Sequence, residues 1–228
     1  MSTRLLLHAI TTPPEGPSRE AAGLRGNPLT ALEVDGLTVW ATGLTVDTDS
    51  FSRADLLDHH RIVTEVFTRV EACLPARFPT LLDGPRVQDL VGRRYDELQQ
   101  QLEIVRGACE LAVTAVWTTA EDPKSLPVET SPGRRYLLER QRTLSASDRR
   151  RARAVELADD LERELADVLL EARRQLCPSA SVALSCALLL PVRQAEAARQ
   201  RIPRSAADVR ILVNGPWPPY TFASVNSE

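Results

Sequence analysis

The stretch NGPWPPYTF, residues 214–222, concentrates aromatic side chains and prolines in a chain whose aromatic content is only 4%. The aromatic residues are Trp217, Tyr220 and Phe222, and the prolines are Pro216, Pro218 and Pro219. Proline fixes an extended backbone and removes N–H donors, so we expect the chain to leave its sheet after Gly215 as a rigid strap, residues 216–222. The strap either packs its rings over the core of its own domain or exposes them as a docking surface, because Trp and Tyr dominate binding hot spots.

The composition is typical of a globular protein and does not indicate binding to a polyanion. A length of 228 residues allows one large domain or two small ones. The net charge of −3 gives no general attraction to nucleic acid or anionic lipid. The first apolar run stops at Pro13 and Pro14, and no segment approaches the ~20 apolar residues of a membrane helix. We therefore expect a cytoplasmic protein that binds neither nucleic acid nor membrane.

The first half of the chain alternates strand and helix patterns. Residues 4–10, 37–44 and 108–118 are rich in β-branched and apolar residues and are predicted to be strands, while residues 14–28 resemble a loop or short helix and residues 75–82 are extended. A helix capped by Ser52 is predicted over residues 50–74, and a second over residues 84–107. The first helix has an apolar stripe of Leu56, His59, Val63, Val66, Val70 and Leu74, and the second one of Val87, Val91, Leu98, Leu102 and Val105. This order predicts an antiparallel sheet covered by helices on one face.

The second half has a different pattern after a polar, proline-rich segment. We predict an N-terminal α/β domain over residues 1–120, a linker over 121–133 and a C-terminal α+β domain over 134–228. Residues that recur at spacings of three and four predict a coiled-coil-like helix packed against another helix of the chain: Ala158, Leu161, Leu165, Val168 and Ala172. A strand over 181–190, a short helix over 191–202 and a final strand over 208–215 follow.

The residues needed for catalysis are scarce. The chain has no HExxH, GxxxxGK[ST] or GxGxxG motif, and its histidines are His8, His59 and His60. His59 lies on an apolar helix stripe, which favours a hydrogen-bonded packing histidine over a general base. The cysteines are Cys73, Cys109, Cys177 and Cys186, and their wide spacing predicts buried free thiols. We expect no enzymatic activity, no cofactor and no metal site.

Residues 134–153 form a basic stretch of eight arginines against Glu139 and Asp148, a local charge of +6 (8 minus 2). This stretch could hold phosphate, nucleic acid or an acidic partner. The six acidic residues between 156 and 167 offer a second explanation, in which the two charges neutralise each other across a helical hairpin.

Five motifs in order resemble the gas vesicle protein F/L family, GvpF and GvpL. The first motif, LLDHHRIVTEV, contains His59, and the second, LPARFPTLL, contains Arg77 and Phe78 and resembles L-P-x-R-F-G-T. The third, LQQQLEIVRGACELAV, contains Gly107 and Glu110, and the fourth, SPGRRYLLER, contains Gly133, Tyr136 and Leu137. The fifth is NGPWPPYTF, with Trp217, Pro218, Pro219, Tyr220 and Phe222. The resemblance covers nearly the whole chain. It departs from the family at Pro79, where glycine is usual, at Thr221, where serine is usual, and in a first strand without aromatics.

The resemblance implies a gas vesicle accessory protein without a reaction or cofactor. It implies an N-terminal α/β domain related to the ferredoxin-like fold and a C-terminal α+β domain with a coiled-coil-like helical pair. The expected partners are the small, hydrophobic major shell protein and other accessory proteins, bound during assembly or nucleation, with the protein either leaving the finished vesicle or remaining as a minor shell component. The alternative is a nucleic-acid or phosphate-binding regulator that acts through residues 134–153.

Overall fold

The computed structural model describes residues 4–14, 21–45, 51–118, 132–206, 208–223 and 225. Between residues 132 and 145 only the backbone and the side chain of Arg140 are described. These residues form a mixed α+β fold with two sheets and five α-helices, which confirms the α+β part of the predicted fold class. Most of the predicted linker falls outside the described residues.

The chain divides into two compact units. The first contains Met1–Glu110 and Pro216–Glu228, and the second contains Leu111–Gly215. The strap therefore belongs to the first unit, whereas the sequence placed it with the C-terminal half. The reason is that the strap forms its hydrogen bonds and ring contacts with residues of the first unit.

The first unit is built on an antiparallel sheet with the strand order β2-β3-β4-β1-β5, and β6 also pairs with β1. Its strands are β1 (Arg4–Thr11), β2 (Ala21–Ala22), β3 (Pro28–Val34), β4 (Leu37–Leu44), β5 (Cys73–Pro75) and β6 (Leu81–Leu82). Its helices are α1 (Arg53–Phe67), α2 (Gly84–Arg93) and α3 (Tyr95–Ile104). The predicted relation to the ferredoxin-like fold stays a prediction.

Strand β3 was missed by the sequence analysis. It forms a hairpin with β4 through Asp35 and Gly36, whose φ angles of 50° and 79° suit the tight turn that joins twisted strands. Strand β3 is only partly buried and contains a proline and a glutamate, residues that are uncommon in strands, so its composition alone did not indicate a strand.

Helix α1 starts as predicted and ends earlier. Ser52 caps it in a reciprocal capping box with Asp55, and the Arg25 guanidinium, followed by Ser52, holds the pKa of Asp55 well below its usual range. The helix ends at Phe67, so Val70 and Leu74 do not belong to its stripe, and Leu56 is 47% exposed. The buried apolar face is instead formed by His59, Ile62, Val63 and Val66.

The second predicted helix is two helices in the structure. Arg94, with φ −112° and ψ 16°, separates α2 from α3. The predicted stripe is nevertheless buried throughout, at Val87, Val91, Leu98, Leu102 and Val105.

The second unit contains a five-stranded sheet with the order β10-β11-β7-β9-β8. Its strands are β7 (Ala108–Trp117), β8 (Glu171–Leu176), β9 (Val182–Pro191), β10 (Ser205–Ala206) and β11 (Val209–Trp217), and its helices are α4 (Pro132–Glu164) and α5 (Ala195–Arg201). The sequence predicted β7 correctly as a strand but assigned it to the first sheet. It lies between β9 and β11 because its buried residues Leu111, Val113 and Ala115 pack in the core of the second unit.

Helix α4 packs on this sheet. Leu157, Ala158 and Leu161 of the helix, and Leu165 directly after it, lie in the same core cluster as buried residues of β9 and β11. The extension of the helical seam to Ala172 was wrong, because residues 171–176 form β8 and pair with β9 in antiparallel register. Among the described residues no second long helix lies beside α4, so the predicted helical pair is not confirmed.

Strand β11 continues through Pro216 to Trp217, two residues beyond the predicted end. Pro216 lies beyond the part of β11 that pairs with β10, because β10 pairs only with Val209 and Arg210, so the proline removes no hydrogen bond on that side.

Candidate functional site

The strap is held against α1 by an aromatic contact. The ring of His60 lies 4.9 Å from that of Trp217 in an edge-to-face arrangement and 5.7 Å from that of Tyr220. The Tyr220 hydroxyl is hydrogen-bonded to His60 Nδ1 at 3.1 Å. Burial raises the pKa of Tyr220 and lowers the pKa of His60, so both rings are neutral near pH 7.

A carboxylate holds the other side of the strap. Glu110 is 7% exposed, and its two oxygens accept hydrogen bonds from the backbone N–H and the hydroxyl of Thr221, each at 2.8 Å. Serine and threonine both supply this hydroxyl, so the threonine that stands where the family usually has serine keeps the contact. Two family motifs that are far apart in sequence thus meet in one hydrogen-bonded pair.

Backbone hydrogen bonds fix the strap and the residues after it. The N–H groups of Phe222 and Ala223 donate to the carbonyl of Pro219, which folds the segment into a turn. Val225 then donates to the carbonyl of Pro75 and accepts from the N–H of Arg77, each within 3.1 Å. The strap therefore packs over the core of its own unit, with Pro218, Pro219 and Phe222 buried and Trp217 and Tyr220 half-buried.

A buried histidine pair lies beneath the site. His59 Nε2 is 3.2 Å from the Ala76 carbonyl, which can only accept, so this nitrogen carries the proton. His59 Nδ1 then accepts from His8 Nδ1 at 2.9 Å, and His8 Nε2 accepts from the Thr42 hydroxyl at 2.8 Å. The Thr42 oxygen in turn accepts from the Leu24 N–H at 3.1 Å.

In this chain of hydrogen bonds both imidazoles are neutral because they are buried. Burial lowers the pKa of His8 to about 3 and that of His59 to about 4. The neutral state satisfies each ring nitrogen with a hydrogen bond inside the core, so His59 is the packing histidine that its position on the helix predicted.

The other motif residues are spread around the first unit and along α4. Phe78 packs its ring 5.1 Å from the ring of His59, whereas the Arg77 side chain is exposed and only its backbone contacts the strand at Val225. Gly107 has a φ of +63° and donates its N–H to the Glu71 carbonyl, so the turn before β7 favours glycine. Gly133, Tyr136 and Leu137 lie in α4, where the structure describes their backbone alone.

The structure adds two residues that the sequence analysis did not single out as a site. Leu56 and Leu57 are 47% and 61% exposed, and both lie one helical turn before His60 on α1. We call these two leucines, together with Trp217 and Tyr220, which contact His60 one turn later, the α1–strap surface. The available sequence signal was an adjacent leucine pair directly before the histidines, of which a helix can bury only part against one core.

A groove of about 350 Å³ lies in the second unit beside α4. Its charged lining residues already form ion pairs, as in the contacts of Arg201 with Glu164 and of Arg153 with Asp208. The floor consists of Leu157, Leu161, Pro203, Ala206 and Ile211. The lining contains no histidine or cysteine that could act as a base or nucleophile.

Within the residues that the structure describes, no group of three or more His, Cys, Asp or Glu side chains is placed to hold a metal ion. In that same part of the chain, every helix is too short or too polar to cross a bilayer.

These features define a two-sheet α+β protein whose C-terminal strap is clasped to its first helix and to the start of β7. The gas vesicle synthesis protein GvpL/GvpF family matches residues 4–224. The chain therefore belongs to the GvpL/GvpF family, which confirms the resemblance found in the five motifs.

Relatives and solved structures agree with this assignment. Gas vesicle protein L2 of Halobacterium salinarum (strain ATCC 700922 / JCM 11081 / NRC-1) is 28% identical over 93% of this chain and 88% of its own length, and gas vesicle protein L1 of the same organism is 24% identical over 93% and 87%. The crystal structure of GvpF from Anabaena sp. PCC7120 has a TM-score of 0.76 at 20% identity, covering 99% of this chain and 98% of that one. GvpF from Microcystis aeruginosa has a TM-score of 0.75 at 18% identity, covering 98% and 100%. These structures share the fold.

Proposed function

We propose that this protein is a non-enzymatic gas vesicle accessory protein that binds the major shell protein and supports assembly or nucleation of the vesicle. Membership of the GvpL/GvpF family over residues 4–224 carries the proposal. Its site of action is the cytoplasm, at gas vesicles, where it also contacts other accessory proteins. It either leaves after assembly or remains as a minor shell component.

The α1–strap surface is our candidate for the contact with the shell protein. Leu56 and Leu57 are exposed apolar side chains, and the half-buried rings of Trp217 and Tyr220 lie beside the next turn of the helix. Because Glu110 and His60 already fix the strap, binding to these rings would cost little conformational entropy. A hydrophobic partner gains most from such a rigid apolar surface.

Co-purification with the shell protein from a common expression host tests the proposal. The first variant is Leu56→Ser with Leu57→Ser, which removes exposed apolar area without touching the core. The second is Trp217→Ala with Tyr220→Ala, which tests the strap itself. The control is Leu170→Ser with Val192→Ser, which alters two side chains of the second unit that are 57% and 45% exposed.

We expect the wild type and the control to retain the shell protein and the leucine variant to lose it while keeping its circular dichroism spectrum. Lost binding with retained folding in the Trp217/Tyr220 variant makes the strap part of the contact, whereas loss of folding makes it a structural clasp. Absence of any association with the wild type would contradict the proposal. Protein that persists in washed intact vesicles would support the retained form over the transient one.

A further inference from the structure

The basic stretch of the sequence is part of one continuous helix. Residues 134–153 and the acidic residues that follow both lie in α4, Pro132–Glu164. The two charged segments therefore succeed each other along one axis, and the predicted hairpin that would neutralise them does not form. The acidic half of α4 does not cover the basic half.

The acidic half is neutralised by other arginines. Asp159 pairs with Arg174 of β8 at 2.6 Å, and Glu164 pairs with Arg201 of α5 at 3.3 Å. Glu162 also lies 3.8 Å from Arg174, and within the helix Glu156 pairs with Arg153 and Asp160 with Arg163. These carboxylates are already engaged, so they are poor partners for the basic half of a second copy of the chain.

The basic half contains exposed arginines without such partners. Arg140, Arg149 and Arg151 are exposed, and none forms an ion pair with a residue that the structure describes. The first turn of α4 carries no acidic residue, so no carboxylate there offsets the charge of the arginines. A negatively charged group of another molecule would offset the positive charge of these exposed arginines.

The positions of the arginines define one side of the helix. Arg140 and Arg151 are separated by about three helical turns, roughly 16 Å, and therefore lie on the same side. Ser147 lies between them on that side and is exposed, and its short side chain leaves room for a partner backbone to approach. Arg149 points to the opposite side of the helix, since it is about two and a half turns from Arg140.

We infer that this side of α4 docks an acidic helical segment of another protein, with carboxylates about three turns apart facing Arg140 and Arg151. A nucleic acid fits less well because its charge repeats without interruption, whereas on this side of α4 Arg151 is followed by Ala154 and Ala158, which are buried and carry no charge. The whole chain is also acidic, with a net charge of −3. This inference does not depend on binding of the shell protein.

Fluorescence anisotropy with a labelled helical peptide of about twelve residues, with glutamates at both ends and alanines between, tests the inference on the full-length protein. The variant is Arg140→Gln with Arg151→Gln. The matched control is Arg149→Gln with Arg204→Gln, which removes the same charge from the opposite side of α4 and from an exposed position elsewhere in the second unit. A single-stranded DNA of equal charge is measured in parallel.

We expect the wild type to bind the peptide with an affinity that falls steeply as salt is raised, the variant to bind at least about fivefold more weakly, and the control to change by less than about twofold. Undetectable binding to the wild type, or equal weakening by variant and control, would overturn the inference. Tighter binding of the DNA than of the peptide would overturn it in favour of a nucleic-acid surface.

Discussion

The carboxylate of Glu110 holds both the backbone N–H and the hydroxyl of Thr221, which lies 111 positions later in the chain. This double contact joins the start of β7 to the strap and is made within the first unit. Thr221→Val keeps the shape of the side chain and removes the hydroxyl donor. We expect it to lower the free energy of unfolding by about 1 to 3 kcal/mol, because a buried carboxylate loses one of its hydrogen bonds.

Urea denaturation measures this change, and Thr221→Ser is the control that keeps the donor and should be close to neutral. Equal stability of the valine and serine variants would show that the hydroxyl contact contributes nothing.

The buried histidine pair predicts a loss of stability in mild acid. The pKa of His8 is lowered to about 3 and that of His59 to about 4, so both are neutral in the folded protein and protonate below about 6.5 once unfolded. The unfolded state therefore binds more protons below pH 6.5, and stability falls as the pH decreases, approaching about 1.4 kcal/mol per pH unit for each histidine. The loss levels off as each folded-state pKa is passed.

Denaturation curves at pH values from 7.5 to about 5.5 check this dependence, above the range in which most carboxylates titrate. Ring-proton NMR titration of His8 and His59 provides an independent measure. A free energy of unfolding that stays constant between those pH values would rule out two neutral buried imidazoles.

Gly23 lies against the same network. A Cβ atom at this position would be 2.2 Å from Thr42 Oγ1, the atom that links the Leu24 N–H to His8. We expect Gly23→Ala to cost about 1 to 3 kcal/mol because a buried hydrogen bond must be broken or displaced. Gly84→Ala is the matched control: it meets nothing within 4 Å in the first turn of α2 and should be neutral or slightly stabilising. Thermal unfolding of the two variants would reveal the difference, and equal melting temperatures would contradict it.

Two leucines near the end of α4 test how this helix packs on the sheet. Leu165 is fully buried in the second core, whereas Leu170, five positions later, is 57% exposed. We expect Leu165→Ala to lower the free energy of unfolding by about 2 to 5 kcal/mol and Leu170→Ala to change it by less than about 0.5 kcal/mol. Chemical denaturation of both variants measures the contrast, and an equally small cost at both positions would contradict the packing of Leu165 in the second core.

The sequence identified most elements whose signals are local. The Ser52 cap, the stripe from Val87 to Val105 and the strand over residues 182–191 follow from capping residues and from hydrophobic spacing, which do not depend on the rest of the fold. The ends of elements were less reliable. Helix α1 stops at Phe67 although apolar spacing continues, because the following residues pair with β1 as strand β5.

Features that depend on distant partners could not be read from the sequence. The hydrophobic pattern of β7 would be the same in the first sheet or the second. Residues 171–176 form β8 because they pair with β9, although the apolar spacing that reaches Ala172 indicated a helix. For the candidate site, the sequence predicted the strap and the packing role of His59. The contacts of Thr221 with Glu110 and of His60 with Trp217 join residues far apart in the chain, so only the fold brings them together.

The first unit is built from two segments that are far apart in the sequence, Met1–Glu110 and Pro216–Glu228. Its sheet and α1 are made early, whereas the strap that packs on them is made only after the whole of Leu111–Gly215. During synthesis on the ribosome the second unit can therefore be completed while the first still lacks its last piece. A chain interrupted before residue 217 would lack both Trp217 and Tyr220, so the α1–strap surface forms only after Tyr220 has been translated.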